Sequence, residues 1–443
     1  MTRYTFPIAV LATILLTSQP AHADPLTPAV EQRVDAQVKA TYPALLAIYK
    51  DLHQHPELGF QETRTASRLA REMRRIGFTV TEKVGQTGLV ALFENGPGPT
   101  VMVRTEMDAL PLAEKTGLPY ASVVTQAKWE NGTTSVMHGC GHDIHMAAWL
   151  GAAEALVALK DQWHGRLMFI AQPAEEGLRG AKAMLADGLL TRFPRPDMGF
   201  ALHVSPSPAG SVTIKAGTYS SASDGVEILF KGRGGHGSMP SSTIDPIVIA
   251  SRFVTDVQSI ISREKDAGQF GVITVGAFQA GTVGNIIPDS ALLKLSLRSF
   301  TPQVREQLLN GVQRAANASA LVANAPAPEV RVVSGTAAVV SDDALAERTA
   351  QVFARVFGKD FTLRPSHAEP VSASEDYSAF IAAGIPSLFF GIGVSDPAAV
   401  TAAQAGGPPV PVNHSPYFAP VPEPSITTGA RAMTFAVLEA LRQ

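Results

Sequence analysis

Residues 137–177 read MHGCGHDIHMAAWLGAAEALVALKDQWHGRLMFIAQPAEEG, and this stretch decides the fold. Its first nine residues are followed by a helical pattern at 146–159 and by an apolar strand pattern at 166–171. A second helical pattern at 181–190 and a second strand pattern at 198–204 come next. Helices that alternate with strands in this way imply crossover connections. We therefore predict an α/β fold with a mostly parallel, helix-covered sheet.

A different pattern begins near residue 217. Strands and helices follow one another there in the order β-α-β-β-α-β, at residues 226–230, 246–263, 270–278, 291–299, 302–321 and 329–333. This order is typical of the split βαβ, ferredoxin-like α+β motif. We predict a discontinuous catalytic domain, residues 24–216 and 337–443, interrupted by an inserted domain at residues 217–336.

Composition narrows the class of partner. The chain has 443 residues, of which 45% are hydrophobic, and a formal net charge of −3. This is enough apolar material for two cores. The lack of a basic excess argues against nucleic acid and against attraction to anionic membrane surfaces. We expect a small-molecule substrate.

The first 23 residues have the pattern of a cleavable signal peptide. Arg3 precedes an apolar run at 6–16, and the sequence AHA occupies residues 21–23. The apolar run is shorter than the roughly 20 residues that a membrane anchor needs. We predict cleavage after Ala23 and a mature protein that is soluble in the periplasm or outside the cell.

Cys140 is the only cysteine, so it has no partner for an internal disulfide. It lies two residues before His142, between glycines that let the backbone approach a bound group. A thiolate and an imidazole together suit zinc, manganese, cobalt or nickel. The alternative is a buried free cysteine at a helix start. His145 lies on the same helical face as His142, and we interpret it as a packing residue or as support for a ligand.

Two adjacent carboxylates, Glu175 and Glu176, follow the apolar strand at 167–171. Neighbouring side chains that leave a strand diverge, so one can bind a metal while the other faces the substrate as a general base. Paired glutamates are more often solvated surface charge. Here, however, they lie at the carboxyl end of a buried strand, where open α/β sheets bind ligands.

Other predicted strand ends carry side chains of the same kind. His203 ends the strand at 198–204, and Glu106 and Asp108 follow the strand at 100–103. His414 lies near the C-terminus in the sequence Asn-His-Ser. A lone histidine at such a position is usually structural. The convergence of several metal-type side chains at strand ends favours a metal site instead.

These motifs resemble the metal-dependent amidohydrolase and carboxypeptidase family of hippurate hydrolase, N-acyl-amino-acid hydrolases and plant indole-acetyl-amino-acid hydrolases. The stretches MHGCGHDIHMA and QPAEEG carry the resemblance, which extends from DLHQHPE at residues 51–57 to His414. It implies a zinc-peptidase-like catalytic domain with an inserted lid that also mediates dimerisation. It implies Glu175 as the base and Asp108 as a residue that orients ligands. The implied metal ligands are Cys140, His142, Glu176, His203 and His414.

Three elements of the lid also match family motifs. His236, in GGHG at 234–237, resembles a residue that stabilises the oxyanion and often reaches the partner subunit's site. Asn285, in GNIIP at 284–288, and Arg298 resemble positions at the substrate's carboxylate end. Without the resemblance, the structural alternatives are stronger. Gly-Gly-His is then more often a turn, Asn285 a turn residue before proline, and Arg298 a solvated edge charge. The sequence leaves open whether His236 acts in cis or in trans.

Glu106 departs from the family pattern, in which an aspartate is commoner before Met107 and Asp108. The additional methylene changes how the side chain can support the ligands. The sequence Ser-Glu-Asp at 374–376 also resembles a family motif, and we interpret it as structural support.

The resemblance implies an enzyme that hydrolyses the amide bond of N-acyl-L-amino acids and binds two divalent metal ions per subunit. Zinc or manganese is the expected metal, and cobalt or nickel is the alternative. A di- or carboxypeptidase on the same scaffold is the alternative. The third possible function is a non-catalytic periplasmic protein that binds a metal or an amino acid. The pair Glu175 and Glu176 argues against it, because binding alone needs no extra carboxylate. The expected partners are a small N-acyl amino acid or short peptide and a second copy of the chain, which would bind through the lid.

Overall fold

Two large sheets organise residues 26–127 and 132–442, the part of the chain that this computed structural model describes. The signal peptide predicted at residues 1–23, with its cleavage after Ala23, lies outside these residues. Among the described residues, no helix combines the length and the hydrophobicity that a membrane crossing requires.

The helices and strands follow one another in a long alternation. The helices are α1 (Pro28–Gln54), α2 (Thr63–Ile76), α3 (His142–Ala158), α4 (Gly180–Ala186), α5 (Leu189–Arg192), α6 (Pro246–Asp256), α7 (Pro302–Val322), α8 (Asp343–Phe357), α9 (Ser378–Ala382), α10 (Pro397–Gln404) and α11 (Pro422–Ala440). The strands are β1 (Thr79–Val84), β2 (Gly88–Asn95), β3 (Thr100–Glu106), β4 (Thr125–Ala127), β5 (Thr133–Ser135), β6 (Gly165–Gln172), β7 (Met198–Pro208), β8 (Val212–Lys215), β9 (Gly217–Thr218), β10 (Ala222–Lys231), β11 (Gly235–His236), β12 (Gly271–Ala280), β13 (Ile286–Ile287), β14 (Ser290–Ser299), β15 (Glu329–Thr336), β16 (Val340–Ser341), β17 (Phe361–Arg364) and β18 (Ser387–Ser395).

The larger sheet has eight strands in the order β1-β2-β6-β3-β7-β18-β8-β17. Its centre, from β6 to β18, is parallel, and antiparallel pairs flank this centre. Along β3, Val101 and Val103 join the core that includes residues of α1, α3 and α11, whereas Met102 joins a second core with residues of α4 and α9. A sheet buried on both faces explains why its central strands are nearly uniformly apolar. The predicted α/β class is thereby confirmed.

The smaller sheet belongs to the lid. Its four strands are antiparallel in the order β12-β14-β10-β15, and α6 and α7 pack on it around one core. The predicted β-α-β-β-α-β order is therefore present. The helix expected at 246–263 is shorter than predicted: α6 ends at Asp256, and Ile260–Glu264 forms a separate π-helical turn. Ile260 lies so close to α7 that a side chain at Gly311 would collide with it.

The chain enters and leaves the lid through adjacent strands. The pairing of β9 with β16 places Gly217 opposite Ser341 and Thr218 opposite Val340. The sheet of the lid itself extends from Ala222 to Thr336. The limits of the two domains at residues 217 and 336 remain predictions.

Candidate metal centre and active site

The carboxyl ends of β3 and β6 lie beside His203, and the start of α3 lies against them. His203 is in the middle of β7, which continues to Pro208, and not at the strand end that the sequence predicted. Three overlapping groups of side chains form there, and in each group the potential ligand atoms lie within 4.8 Å of one another. The groups are Cys140 with His142 and His203, Cys140 with Glu176 and His414, and His142 with Glu175 and Glu176. The structure thus brings together all five predicted ligands and the predicted base.

Cys140 reaches the cluster because Gly141 begins α3 in a left-handed conformation, with φ of +88°. A Cβ on Gly141 would lie 2.6 Å from Cγ2 of Val204, so only glycine lets the helix start approach β7 this closely. The Sγ atom of Cys140 lies 3.5 Å from Nε2 of His203. The local geometry therefore supports the sequence argument about the glycines around the cysteine.

Two of the histidines have a defined tautomer. Nδ1 of His142 donates to the backbone oxygen of Asp108 over 2.7 Å, and Nδ1 of His203 donates to the backbone oxygen of Val204 over 2.8 Å. A carbonyl oxygen only accepts, so Nδ1 carries the proton and Nε2 is the atom left for a ligand bond. Both Nε2 atoms face the cluster. Nε2 of His203 lies 3.5 Å from Sγ of Cys140, and Nε2 of His142 lies 4.0 Å from Oε2 of Glu175.

Asp108 connects two of the elements that carry these groups. Its backbone oxygen accepts from His142, and its Oδ2 accepts from the backbone N–H of Glu176 over 3.0 Å. The side chain is buried beneath the cluster. Asp108 therefore contacts two of the candidate ligands, which agrees with the orienting role that the resemblance implies for it.

His414 completes the cluster from the C-terminal side in a strained conformation. Its φ is +68°, a left-handed value that costs a non-glycine residue about 1–2 kcal/mol. Two hydrogen bonds stabilise this conformation. The backbone N–H of His414 donates to the backbone oxygen of Gly139, and Nδ2 of Asn413 donates to the backbone oxygen of Cys140. Nε2 of His414 lies 3.4 Å from Oε2 of Glu176. Strain of this kind is typical of functional positions.

The cluster concentrates acidic groups in a buried space. Burial, with the charges of Glu375 and Glu176, raises the pKa of Glu175 well above its usual value. Burial raises the pKa of Glu176 to about 7, and burial with the nearby glutamates raises that of the Cys140 thiol. Burial lowers the pKa of His203 to about 3, which keeps its ring neutral. A divalent cation is the kind of charge that reverses such shifts in carboxylates and thiols.

Unpartnered polar atoms test whether these residues fit a metal. Nε2 of His142, Oε1 of Glu176 and Oδ1 of Asp108 are buried without a hydrogen-bond partner among residues 26–127 and 132–442. Buried polar atoms are normally paired, so these atoms lack a partner that an ion supplies. Sulfur, nitrogen and carboxylate oxygen together match zinc and its neighbours in the first transition row. The donor set fits a metal centre.

A cavity of about 690 Å³ opens from this cluster towards the lid. Its apolar wall consists of Leu178, Tyr219, Phe270, Val272, Val371 and Phe389. Arg298 of the lid also lines it, and its guanidinium donates to Oγ of Ser374. Among the described residues, Arg298 pairs with this hydroxyl and with no carboxylate, and burial lowers its pKa. A half-buried cation without a counter-ion is suited to an anionic group of a ligand.

Comparison with known proteins agrees with this geometry. Residues 102–420 match the profile of Peptidase family M20/M25/M40. The chain belongs to this family. The family predicted from the motifs is thus confirmed.

Relatives within the family share most of their length with this M20-family chain. A hippurate hydrolase of Campylobacter jejuni is 37% identical over 340 residues, which are 75% of this chain and 84% of the relative. A thermostable carboxypeptidase of Saccharolobus solfataricus is 33% identical over 367 residues, 82% of this chain and 88% of the relative. A crystal structure of a Bacillus subtilis dinuclear metal-binding peptidase of the M20 family has a TM-score of 0.73 and 28% identity, covering 91% of this chain and 99% of that one.

Two predicted site residues of the M20-family lid lie away from the cavity lining. His236 is exposed on β11, where its Nδ1 accepts from Oγ of Ser238 over 2.8 Å. Asn285 is exposed next to it, and its backbone oxygen accepts from the N–H of Gly237. Neither lines the cavity, whereas Arg298 does. One chain alone therefore does not bring His236 and Asn285 to the metal cluster.

A buried charge network lies beneath the cluster, and motif reasoning found only part of it. Arg104 of β3 is fully buried and donates to Glu375 over 2.8 Å, to Asp376 over 3.3 Å and to Gln172 over 3.0 Å. It also forms an ion pair with Glu106. The signal in the sequence was an arginine directly after the apolar run Val101–Val103 of a buried strand. The Glu375 and Asp376 contacts agree with the interpretation of these two residues as support.

Glu62 is a further buried carboxylate that the motifs did not indicate. Its Oε1 accepts from the backbone N–H of Ala174 over 2.8 Å, directly before the paired glutamates, and its Oε2 accepts from Thr87. Burial and the charge of Asp108 raise its pKa to about 7. Ala174 has a φ of +48°, so Glu62 holds a strained turn that sets the direction of Glu175.

Proposed function

We propose that this M20-family chain is a metal-dependent amidohydrolase that hydrolyses N-acyl-L-amino acids to a carboxylic acid and a free amino acid. The observation that carries the proposal is the separation of roles within one cavity. Cys140 is grouped with four further potential ligands, Glu175 adjoins them, and Arg298 lines the same cavity from the lid. A hydrolase of N-acyl amino acids needs all three parts: a Lewis acid, a base and a group that binds the free carboxylate.

Two divalent cations per chain would be held by Cys140, His142, Glu176, His203 and His414. Zinc and manganese are the metals that we propose for these donors, and cobalt and nickel are the alternatives. Of the three groups described above, the two that consist only of predicted ligands have Cys140 in common, so its thiolate would help to hold both ions. When bound, such ions polarise the amide carbonyl and lower the pKa of water towards neutrality.

Glu175 is the residue that moves the proton. Its carboxylate lies at the cluster, 4.0 Å from His142, and it is largely shielded from solvent. In this position it accepts a proton from the attacking water and returns it to the nitrogen of the leaving amine. Asp108 and Glu62 act indirectly, because they hold the backbone N–H of Glu176 and that of Ala174, directly before the paired glutamates.

Arg298 binds the carboxylate of the amino-acid half in this account. We expect Arg298→Ala to raise KM for benzoylglycine by about 10–100-fold, because a hydrogen bond to a charged group contributes about 1.5–3 kcal/mol. Steady-state kinetics with benzoylglycine and with its uncharged carboxamide measure the effect. The carboxamide serves as the control, since it has no carboxylate to lose. An equal loss on both substrates would show that Arg298 only supports the fold of the cavity.

A second copy of the chain would supply His236. Exposed apolar side chains surround this histidine: Met239 is 61% exposed, Ile286 57% and Val283 52%. Apolar patches of this kind mark interfaces. We propose a homodimer through the lid in which His236 donates to the developing oxyanion in its partner's site.

The dimer proposal has a complementation test. His236→Ala should lower kcat by about 10²–10³-fold, the usual cost of one oxyanion donor. Mixing the His236→Ala chain with a Glu175→Gln chain should restore part of the activity, because one of the two sites then has both residues. The two homodimers kept apart are the control. Heterodimers that form without any gain of activity would place His236 outside the partner's site.

A di- or carboxypeptidase is the second candidate, and the carboxypeptidase among the relatives favours it. The two activities differ at the amine end, where a dipeptide carries a positive charge and an N-acyl amino acid does not. Apart from Arg298, the cavity wall around Phe270, Val272 and Leu178 is apolar, which favours an uncharged acyl group. Comparing hydrolysis of benzoylglycine with that of glycylglycine separates the two. A binding protein without catalysis would hydrolyse neither.

A further inference from the structure

We propose that His145 and Glu106 are positioning residues that fix the orientation and the tautomer of His203 through the backbone of Val204. This inference rests on the proposed function, in which His203 is a metal ligand. It concerns two residues that lie outside the ligand set, one of which departs from the common family pattern.

The contacts form one continuous chain from β3 through α3 to β7. Oε2 of Glu106 accepts from Nδ1 of His145 over 3.0 Å, and Nε2 of His145 accepts from the backbone N–H of Val204 over 2.9 Å. The backbone oxygen of Val204 then accepts from Nδ1 of His203 over 2.8 Å. Nε2 of His203 is left facing Cys140 Sγ. Every link has a defined donor and acceptor, so the chain specifies where the proton of His203 resides.

His145 itself is excluded as a ligand by these bonds. Geometrically, Glu106, His142 and His145 form a group whose nitrogen and oxygen atoms lie within 4.8 Å of one another. Both ring nitrogens of His145 are already used, Nδ1 as a donor and Nε2 as an acceptor. A histidine ring has no third position for an ion. The group is therefore a support for the metal centre and not an additional site.

Glu106 can act in this way because two partners hold its carboxylate. One oxygen pairs with the buried Arg104, and the other accepts from His145. Arg104 is in turn bound by Glu375 and Asp376, so the carboxylate is fixed from below. An aspartate here would hold its carboxylate about 1.5 Å nearer the backbone, the length of one carbon–carbon bond, and would not span the same two partners.

Packing alone offers a competing explanation. The rings of His145 and His203 are 4.7 Å apart at 71°, so removing His145 also removes an edge-to-face contact. A test must therefore separate the hydrogen bond to Val204 from the volume of the ring. Gln and Asn do so because their amides lie at different distances from the backbone.

The variants His145→Gln, His145→Asn and His145→Ala provide the comparison. The Gln oxygen lies near the position of Nε2 and can accept from Val204, whereas the Asn amide lies near Nδ1 and can reach only Glu106. The experiment measures the Zn²⁺ affinity and stoichiometry of each metal-free variant by competition with a chromogenic chelator. The Tm of each variant is measured as well. We expect Asn and Ala to weaken one of the two Zn²⁺ sites by about 10–100-fold, the usual cost of losing such a support. Gln should remain much closer to the wild type.

The outcomes distinguish this inference from the proposed function. A wild-type chain that binds neither Zn²⁺ nor Mn²⁺ contradicts the proposed function and this inference with it. A wild-type chain that binds Zn²⁺ while all three variants bind it equally well contradicts this inference alone. Equal losses of affinity in all three variants, tracking their losses in Tm, would show that His145 serves packing only. Rescue by Gln and not by Asn supports the role in positioning.

Discussion

The Glu175→Gln variant should lose about 10²–10⁴-fold in kcat while it keeps its metal ions, because a general base contributes that much and an amide cannot accept the proton. Glutamine preserves the volume of the buried side chain and removes only its basicity. KM should change little, since Glu175 is not the group that binds the substrate's carboxylate. Steady-state kinetics on benzoylglycine, together with metal analysis of the same preparation, measure both quantities.

Glu423→Gln is the matched control for this change. Glu423 is exposed in the first turn of α11 and does not line the cavity, so its loss should leave kcat unchanged. Normal turnover in Glu175→Gln with full metal content would refute the assignment of the base. Loss of turnover together with loss of metal would instead place Glu175 among the ligands.

Cys140→Ser should have the second large effect, because Cys140 belongs to both of the groups described above that consist only of predicted ligands. A serine hydroxyl is not deprotonated as readily as a thiol and is a poorer ligand for zinc. We expect affinity for Zn²⁺ to fall by more than the roughly 10–100-fold that loss of an indirect support causes. Hydrolysis should fall with it. Metal content after gel filtration and activity at saturating Zn²⁺ are the two measurements.

Ser205→Ala is a suitable control for the cysteine variant. Ser205 lines the same cavity, but its hydroxyl donates to the backbone oxygen of Ile392 and belongs to none of the metal groups described above. This variant should bind Zn²⁺ as the wild type does. If Cys140→Ser also retained two ions and full activity, the thiol would be a buried core residue and the assignment of the shared ligand would be wrong.

The position of the site could be predicted because local patterns determine it. Cys140 and His142 lie at the start of an apolar helix, Glu175 and Glu176 follow an apolar strand, and His203 lies within another strand. Parallel strands bring their carboxyl ends to one edge, so residues far apart in sequence were expected to meet. The register of β3 with β6 and β7 places them there.

The supporting network could not be predicted in the same way. Arg104 contacts Glu375 across 271 positions of the chain, and Glu62 contacts Ala174 across 112. No short motif encodes contacts of this range, because they depend on how separate loops pack beneath the sheet. An arginine within β3 and a glutamate before α2 were visible as residues, but their partners were not.

His236 shows a different limit of prediction. The motif identified a candidate residue correctly placed on the lid, yet its side chain is exposed and lies outside the cavity lining of its own chain. The role that we propose for it requires the proposed dimer, which the local sequence does not specify. The shortened helix α6 has a simpler cause, since apolar periodicity continues through the π-helical turn and hides the break at Asp256.

The central claim is that the chain hydrolyses N-acyl amino acids with bound metal ions. The most direct test follows release of glycine from benzoylglycine by the mature protein, first metal-depleted with a chelator and then titrated with Zn²⁺ or Mn²⁺. The account predicts no hydrolysis without metal and an activity that saturates at two ions per chain, with glycylglycine cleaved poorly. A chain that binds two ions and cleaves neither substrate, or that cleaves benzoylglycine equally well when metal-depleted, would contradict it.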